Sequence, residues 1–508
     1  MTDTAQYPML KQVFGHGEFR DGQRQMVDAI ISGRDALGIM PTGAGKSICY
    51  QLPALMLQGI TLVISPLISL MIDQVMALKQ MGVAAAYINS SLSPSQIEIA
   101  TQRAALGYYK IIYVAPERLE APDFIAFARD ADIAMVTVDE AHCVSKWGQD
   151  FRPSYLRIPE FLQVLKRRPI LSAFTATATQ RVRQDILAQL CLQRPELVTT
   201  GFDRPNLFFW VQQPKDKFDA LTEFLDNKSE LSGIVYCATR KAVEQVTERL
   251  NENGYSAARY HAGLSDKERM KSQDDFQYDR VRIIVATNAF GMGIDKSNVS
   301  FVVHYNMPQD IESYYQEAGR AGRDGEPADC LLLYNKQDVM TARFLISHST
   351  ENPELSREDE LLLIERNMDR LKQMTFYSTT KKCLRKFILN YFGDSAPERC
   401  GHCSTCMGLP YEVGEKKRTA KERNKKSAPP VGVDERDIPL YDALAGLRLS
   451  IAQQAKVPAY VIFSNATLRD MTKRKPQTDT EMLGVSGVGE LKLQQYGKIF
   501  MAVIKQFS

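Results

Sequence analysis

The sequence contains no apolar run of about 18 residues, the length that a membrane-spanning helix requires. Its first residues, MTDTAQYPMLKQ, lack the basic and then apolar segments of a secretory leader. We therefore expect a cytoplasmic protein without a membrane anchor. Histidine and tryptophan are scarce, at 6 and 2 of 508 residues, and the formal net charge is only +3. A uniformly basic surface, which would attract nucleic acid over its whole area, is excluded.

The small net charge is the sum of two unlike regions. Residues 411–508 contain 17 Lys and Arg against 11 Asp and Glu, whereas residues 1–410 contain 46 against 49. Any contact of the first region with nucleic acid must therefore be local, because no bulk positive field exists there. With 44% hydrophobic residues the composition is that of a globular protein, and the length suits about three domains.

Short apolar, β-branched segments alternate with helical patterns over the first 340 residues. Strands that are apolar throughout and joined by crossover helices predict parallel sheets, so the fold class is α/β. The segments fall into two halves joined near the turn-rich stretch 200–208. Strands are predicted at 60–66, 111–116, 133–140, 233–237, 282–287 and 300–305, and helices at 93–106 and 240–253.

The segment MPTGAGKS (40–47) has the strand–loop–helix setting of a phosphate-binding loop. Gly43 and Gly45 allow backbone N–H groups to face phosphate oxygens at the start of a helix. Lys46 would reach the β- and γ-phosphates of a nucleotide, and Ser47 would hold Mg²⁺. Met40 stands where the strict pattern has glycine. A glycine-rich structural turn is the alternative.

Two further segments support a nucleotide-hydrolysing site. Asp139 and Glu140 follow the apolar run IAMVTV; Asp139 would hold Mg²⁺ through water, and Glu140 would orient and deprotonate the attacking water. In QEAGRAGRDG (316–325), the spacing predicts that Gln316, Arg320 and Arg323 share one face, from which an arginine could neutralise transition-state charge. The alternatives are an exposed acidic pair at a strand end and a surface helix with ordinary ion pairs.

Four of the nine cysteines form a cluster with the spacing C-x16-C-x2-C-x2-C. In a chain without a leader, this pattern favours a metal over disulfides. Four thiolates suit tetrahedral Zn²⁺ in a structural site. An iron–sulfur cluster is the chemical alternative, although no cysteine stands three residues after the last one. The predicted ligands are Cys383, Cys400, Cys403 and Cys406.

In their order, these motifs resemble those of superfamily-two helicases, and more narrowly of the RecQ family of DNA helicases. Further segments extend the resemblance over nearly the whole chain: FGHGEFRDGQ (14–23), SPLISLMIDQ (65–74), PERL (116–119), VDEAH (138–142), FTATAT (174–179), VYCATR (235–240), YHAGL (260–264) and ATNAFGMGIDK (286–296). The resemblance implies two RecA-like lobes with ATP bound between them. It implies that Arg20 and Gln23 contact adenine and that the loop residues Thr42, Gly43, Ala44, Gly45, Lys46 and Ser47 hold the rest of the nucleotide.

The segment CVSKWGQDFRP (143–153) resembles the aromatic-rich loop by which this family couples single-stranded DNA binding to ATP hydrolysis. Trp147 and Phe151 would offer stacking faces for bases, while Lys146 and Arg152 would contact phosphates. The alternative is an aromatic cluster in the core. Near the end of the chain, Tyr460 and the basic segment 473–475 are candidate DNA contacts in a stretch that resembles an HRDC domain; a solvated basic face is the equal alternative.

The resemblance divides the chain into five parts. They are a first RecA-like lobe (1–204), a second (205–345), a zinc-binding helical subdomain (346–410), a basic linker (411–433) and an all-α HRDC-like domain (434–508). Bacterial members of the family usually carry a winged-helix domain between the zinc cluster and the HRDC domain. Only 407–433 separate them here, which is too short for a domain of about 50 residues, so we expect that the winged helix is absent.

The expected function is ATP-dependent 3′-to-5′ movement on single-stranded or forked DNA in the bacterial cytosol or nucleoid, with ATP, Mg²⁺ and Zn²⁺. The resemblance implies roles in recombination, repair and the SOS response, and single-strand DNA-binding protein and other repair factors as partners. Three alternatives stay open: an RNA helicase or remodelling ATPase, a translocase or annealing factor that unwinds weakly, and a non-catalytic DNA-binding scaffold.

Overall fold

The computed structural model describes residues 6–226, 228, 231–288, 290, 296–348, 356–413, 433–455 and 457–507. Most of the segment 286–296, which resembles a helicase motif, and residues 414–432 of the predicted linker lie outside the described residues. No described helix has both the length and the apolar character needed to cross a bilayer.

The first lobe is a parallel sheet of seven strands in the order β3-β4-β2-β5-β6-β1-β7. Its four central strands are buried on both faces, which explains their continuous apolar sequences. The strands are β1 (Ala36–Ile39), β2 (Ile60–Ile64), β3 (Ala85–Ile88), β4 (Ile111–Val114), β5 (Ile133–Val138), β6 (Ile170–Thr175) and β7 (Glu196–Thr199). The helices are α1 (Gln6–Phe14), α2 (Gln23–Ile31), α3 (Lys46–Met56), α4 (Ile68–Gln80), α5 (Pro94–Ala105), α6 (Pro122–Asp130), α7 (Ile158–Val164) and α8 (Gln180–Gln189).

The second lobe repeats this architecture, with the strand order β10-β11-β9-β12-β13-β8-β14. Its strands are β8 (Leu207–Pro214), β9 (Ser232–Tyr236), β10 (Ala257–Tyr260), β11 (Ile283–Ala286), β12 (Val299–His304) and β13 (Ala328–Leu333). Its helices are α9 (Lys217–Asp226), α10 (Arg240–Glu252), α11 (Asp266–Gln277), α12 (Ile311–Ala318) and α13 (Lys336–Ser347). All six predicted strands and both predicted helices are present, so the α/β prediction is confirmed.

The predicted zinc-binding subdomain consists of the long helix α14 (Arg357–Thr379), α15 (Leu384–Phe392) and a cysteine-containing loop. After it the chain returns to the second lobe, where β14 (Glu412–Val413) pairs in parallel with β8 and completes the sheet. Residues 411–413 of the range predicted as a linker therefore belong to the edge of the second lobe. Near the lobe junction, Phe202 stacks on Phe392 of α15 at 4.5 Å, which joins the subdomain to the end of the first lobe.

The C-terminal module is helical and has a hydrophobic core of its own, around Leu444, Phe463 and Phe500. It contacts both lobes: the Gly487 amide donates to the Gly15 carbonyl at 3.2 Å, and Arg469 pairs with Glu326. This glycine-rich turn therefore meets the first lobe in the structure. The module's helices are α16 (Ile438–Ala455), α17 (Ala459–Ile462), α18 (Asn465–Arg474), α19 (Asp479–Gly484), α20 (Glu490–Lys492) and α21 (Lys498–Ile504).

Candidate functional site

The loop between β1 and α3 has the backbone of a phosphate cradle. Gly43 and Gly45 adopt φ values of +88° and +81°, in the left-handed region that favours glycine. A Cβ atom at Gly45 would lie 2.4 Å from Gln23 Nε2, so a side chain there would displace the Gln23 amide group. The left-handed backbone therefore explains why glycine stands at both positions. The loop leads directly into the first turn of α3.

Lys46 is the first residue of α3, and its side chain forms no hydrogen bond or ion pair among the described residues. Its ammonium group nonetheless lies close enough to Asp139 to influence the titration of that carboxyl. A cation without a partner, set at a helix N-terminus, is suited to bind an anion. The arrangement matches the role predicted for Lys46 towards nucleotide phosphates.

Arg20 and Gln23, which the resemblance assigns to adenine, contact the phosphate loop itself. Arg20 donates to the Gly43 carbonyl, and Gln23 Nε2 donates to the carbonyls of Ala44 and Gly45 at 3.0 and 3.1 Å. Both side chains thus stabilise the loop's shape while standing beside it. Their predicted contact with adenine stays a prediction.

Asp139 and Glu140 follow β5 at the carboxyl edge of the sheet, beside the phosphate loop. Burial, together with the neighbouring Glu140 carboxylate, raises the pKa of Asp139 to about 7, and Lys46 opposes this rise. A bound divalent cation would favour the ionised carboxylate. Glu140 adopts φ +47°, a left-handed conformation that is rare for a residue with a side chain and is concentrated at functional sites.

His142 connects the acidic pair to the segment FTATAT (174–179), which begins at the end of β6. Its Nδ1 lies 3.3 Å from Glu140 Oε2 and 2.8 Å from the Thr175 hydroxyl. Burial lowers the pKa of His142, so the ring is neutral at physiological pH. The hydrogen bond between His142 and Thr175 therefore links the turn after β5 to the end of β6, with the Glu140 carboxylate beside the ring.

The second lobe brings its arginine-containing segment against this site. Arg320 is 6% exposed, its Nε has no acceptor among the described residues, and the Glu140 carboxylate is among the charges that influence it. The backbone of Arg323 lies beside Gly43, since a Cβ on that glycine would be 3.8 Å from the Arg323 Cα. The two predicted arginines thus stand across the cleft from the phosphate loop.

Arg204 is a site residue that the sequence analysis missed. Its guanidinium donates to the Thr42 carbonyl of the first lobe at 2.7 Å and to the Gly322 carbonyl of the second lobe at 2.7 Å. It therefore bridges the phosphate loop and the arginine segment. Its position in a turn-rich segment offered no local signal for this role.

Gln316 contacts the predicted DNA-coupling loop, 143–153. Gln149 Nε2 donates to Gln316 Oε1 at 2.7 Å, which joins the first lobe's aromatic loop to the second lobe's α12. The same helix ends directly before Arg320. This hydrogen bond therefore connects the aromatic loop to the helix that precedes the arginine segment.

Trp147, predicted to stack on DNA bases, is held between two guanidinium groups. The central carbons of Arg181 and Arg366 lie 2.9 and 3.2 Å from its ring centroid. Two groups this close to one centroid must lie on opposite faces of the ring. No face of the Trp147 ring is available for stacking in this arrangement.

The other predicted DNA contacts lie in the aromatic loop itself or in the C-terminal module. Lys146 pairs with Asp359 at 2.8 Å, and Arg152 pairs with Asp150 while donating to the Pro66 carbonyl at 3.1 Å. Phe151 is half-buried, and Tyr460 accepts a hydrogen bond from Gln277 of the second lobe at 2.8 Å. Tyr460 therefore sits where the C-terminal module meets the second lobe, and its role towards DNA stays a prediction.

The four clustered cysteines converge where the start of α15, capped by Cys383, meets the loop that follows the helix. All four sulfur atoms lie within 4.8 Å of one another, with Cys383–Cys403 and Cys400–Cys406 separations of 4.0 Å. A regular tetrahedron with metal–sulfur bonds of about 2.3 Å requires sulfur separations of roughly 3.8 Å. The cluster therefore fits a four-coordinate Zn²⁺.

Four family models match successive parts of the chain. They are the DEAD/DEAH box helicase domain at 20–186, the helicase conserved C-terminal domain at 216–325, the RecQ zinc-binding region at 336–407 and the HRDC domain at 437–504. Among solved structures, the DNA-bound DUF1998 helicase MrfA has a TM-score of 0.55 at 21% identity, covering 74% of this chain and 57% of that one. Dbp5 from S. cerevisiae, bound to RNA and ADP BeF3, has a TM-score of 0.53 at 18% identity, covering 70% and 94%. These likenesses show the fold.

Two RecA-like lobes, a phosphate loop, an Asp-Glu-Ala-His edge and facing arginines define an ATP-dependent helicase of superfamily two. The ATP-dependent DNA helicase RecQ of Bacillus subtilis (strain 168) is 38% identical over 98% of both chains. RecQ of Pasteurella multocida (strain Pm70) is 34% identical over 98% of this chain and 93% of that one. The chain belongs to the RecQ family of ATP-dependent DNA helicases. This confirms the predicted family and fold class, and the RecQ zinc-binding match favours zinc over an iron–sulfur cluster.

Proposed function

We propose that this protein hydrolyses ATP with Mg²⁺ to move 3′ to 5′ along single-stranded or forked DNA, in recombination and repair. The observation that carries the proposal is the convergence of the phosphate loop, the Asp139–Glu140 pair and Arg320 at the cleft between the lobes. The hydrogen bond from Gln149 to Gln316 supports coupling of this cleft to the aromatic loop. Single-strand DNA-binding protein is proposed as a partner on the family resemblance alone.

Each residue has a distinct task in the proposed reaction. Lys46 and the loop amides hold the β- and γ-phosphates, with Ser47 and Asp139 as the Mg²⁺ ligands. Glu140 accepts a proton from the attacking water. Arg320 and Arg323 offset negative charge on the transferred phosphoryl group, an effect worth roughly 10³–10⁵ in rate. Mg²⁺ supplies further charge neutralisation, and Zn²⁺ on the four cysteines has a structural role.

The test measures phosphate release with single-stranded DNA, with an RNA homopolymer and without nucleic acid. We expect strong stimulation by DNA and weak stimulation by RNA. Glu140→Gln should retain ATP without turnover, whereas Glu160→Gln, at an exposed carboxylate on α7, should behave as the parent. Equal stimulation by RNA would favour an RNA-directed motor, and DNA-independent hydrolysis would contradict the proposed coupling.

A second candidate function is translocation on DNA with weak unwinding. The alignment to the Bacillus relative spans 590 positions, more than the 508 residues of this chain, so it contains positions that this chain lacks. The zinc-binding and HRDC matches end at 407 and begin at 437, and the 29 residues between them are fewer than the roughly 50 of a small domain, which supports the absence of a winged helix. Forks with a 3′ or a 5′ single-stranded tail distinguish the candidates. Efficient opening of the 3′-tailed fork supports the helicase, whereas streptavidin displacement from single strands without fork opening supports the translocase.

A further inference from the structure

The aromatic loop is held by helix α14 of the zinc-binding subdomain over three consecutive residues. Lys146 pairs with Asp359, and its carbonyl accepts a hydrogen bond from Arg366 at 3.1 Å. The carbonyl of Trp147 accepts from Arg370, which also donates to the Gly148 carbonyl at 3.1 Å. These contacts fix both the backbone and the side chain of the loop. We call the interaction of α14 with residues 146–148 the loop clamp.

Two guanidinium groups, one of them from the loop clamp, cover the Trp147 ring on which a base would stack. Arg366 from α14 stacks on one face of Trp147, and Arg181 from α8 of the first lobe stacks on the other. A base can therefore stack on Trp147 only after a guanidinium group has left. Such cation–π contacts have a measurable cost when they are broken, because the ring quadrupole attracts the cation.

The charges around Trp147 favour exchange with a polyanion. Arg181 and Arg370 both repel the Arg366 guanidinium, while Asp185 and Asp359 attract it. A phosphate backbone would supply further negative charge to this group of arginines. A guanidinium that leaves the ring would thus find an anion within reach.

We propose that Arg366 and Arg181 are positioning residues that hold the aromatic loop in its DNA-free arrangement, and that single-stranded DNA replaces them by exchange. A base takes one face of Trp147, and the displaced guanidinium contacts a phosphate. Because Gln149 of the same loop binds Gln316, the exchange is reported directly to the arginine segment of the second lobe. This inference rests on the proposed function, since it concerns how DNA engages the motor.

The clamp can be observed without DNA or nucleotide, because the chain has only 2 tryptophans. Trp210 packs on Phe208 and Phe224, and its buried Nε1 has no acceptor among the described residues. Trp210→Phe therefore removes no hydrogen bond and leaves Trp147 as the single emitter. In this background, Arg366→Lys removes the planar stacking group but keeps its positive charge. The matched control is Arg357→Lys, at an exposed position on the first turn of the same helix.

We expect Arg366→Lys, and not Arg357→Lys, to change the Trp147 emission in the absence of DNA. The single-stranded DNA concentration for half-maximal ATP hydrolysis should fall about three- to tenfold, because a base no longer displaces a stacked guanidinium. The maximal rate should be unchanged. A merely structural role for Arg366 would instead lower the urea midpoint and leave the half-saturating DNA concentration unaltered.

Other results would overturn the inference in distinguishable ways. Unchanged emission in Arg366→Lys would show that the stacked arrangement is not the DNA-free state in solution. Changed emission with a higher half-saturating DNA concentration would show that stacked Arg366 favours DNA binding and does not oppose it. If DNA fails to stimulate hydrolysis by the parent protein, the proposed function fails, and titration of Trp147 emission with single-stranded DNA still tests the exchange.

Discussion

The two α/β lobes share one strand order but differ at the loop that follows the first strand of each. In the first lobe, β1 leads through two left-handed glycines to Lys46, which has no partner among the described residues. In the second lobe, β8 leads through a short turn to Lys217, which is 11% exposed and paired with Asp338 at 2.7 Å. Lys217 also donates to the Tyr305 carbonyl at 2.7 Å. The same topology thus holds a lysine ready for an anion in one lobe and a neutralised lysine in the other.

The carboxyl ends of the corresponding central strands differ in the same way. In the first lobe, β5 is followed by the acidic pair Asp139 and Glu140, whereas β12 of the second lobe is followed by Tyr305 and Asn306. Asn306 Nδ2 donates to Asp338, and its Oδ1 accepts from the Ala238 amide at 3.1 Å. Polar groups at this edge of the second lobe satisfy one another. A repeated fold alone therefore does not make a nucleotide site; the proposed site lies in the first lobe, where the Lys46 side chain has no partner among the described residues.

Removal of zinc should have the largest effect and should act on the second lobe. The cysteine loop binds the outer edge of β8, where the Ser404 amide donates to the Phe209 carbonyl at 2.9 Å. Structural zinc contributes about 10–16 kcal/mol of apparent binding free energy in small peptides. We expect chelation or Cys403→Ala to lower the thermal midpoint and to alter the near-ultraviolet signal of Trp210, which lies on β8. Cys191→Ser, at an exposed thiol of the first lobe, is the control. An unchanged midpoint after complete loss of zinc would contradict the structural role.

Lys46→Ala tests the first lobe's unpartnered lysine. We expect loss of ATP hydrolysis by on the order of 10³, or about 4 kcal/mol in activation free energy, because a cation facing the transferred phosphoryl group is removed. The free energy of unfolding should be nearly unchanged, since Lys46 forms no ion pair in the described structure. Phosphate release and urea unfolding measure the two quantities, with exposed Lys79→Ala as the control. A variant that hydrolyses ATP normally would assign the phosphate role to another residue.

The sequence was informative wherever function depends on local backbone geometry or on a short contiguous motif. The glycines at 43 and 45, the strand-end pair at 139–140 and the four cysteines each lie in a pattern whose spacing has a direct structural cause. The apolar strands were equally predictable, because burial on both faces demands continuous apolar sequence. These features together define both lobes and most of the nucleotide site.

Contacts between distant segments could not be predicted in this way. Arg204 joins two loops that are far apart in the chain, and Arg366 reaches Trp147 across more than 200 positions. Neither arginine stands in a pattern that distinguishes it from a surface residue. The expectation that Trp147 presents a free stacking face followed from its neighbours in sequence, whereas the faces are covered by residues from two other elements. Local patterns specify which groups are present, and tertiary packing decides which of them are free.

Lys217→Ala tests the second lobe's neutralised lysine and should have the reverse effect of Lys46→Ala. Asp338 is 4% exposed on its side chain, so removal of Lys217 leaves a buried carboxylate whose remaining donors among the described residues are Asn306 Nδ2 and the Asn335 amide. Breaking a buried pair in this manner costs about 3–5 kcal/mol, of which the two remaining hydrogen bonds recover a part, so we expect a loss near 3 kcal/mol in urea unfolding. Affinity for a fluorescent ATP analogue should stay at the parent value, because Lys217 does not face the cleft's phosphate loop. Asp338→Asn in the same chain should restore part of the stability, since the buried charge is then gone. If Lys217→Ala were to weaken analogue binding while leaving stability intact, the second lobe's lysine would belong to the nucleotide site, and the contrast between the two lobes would fail.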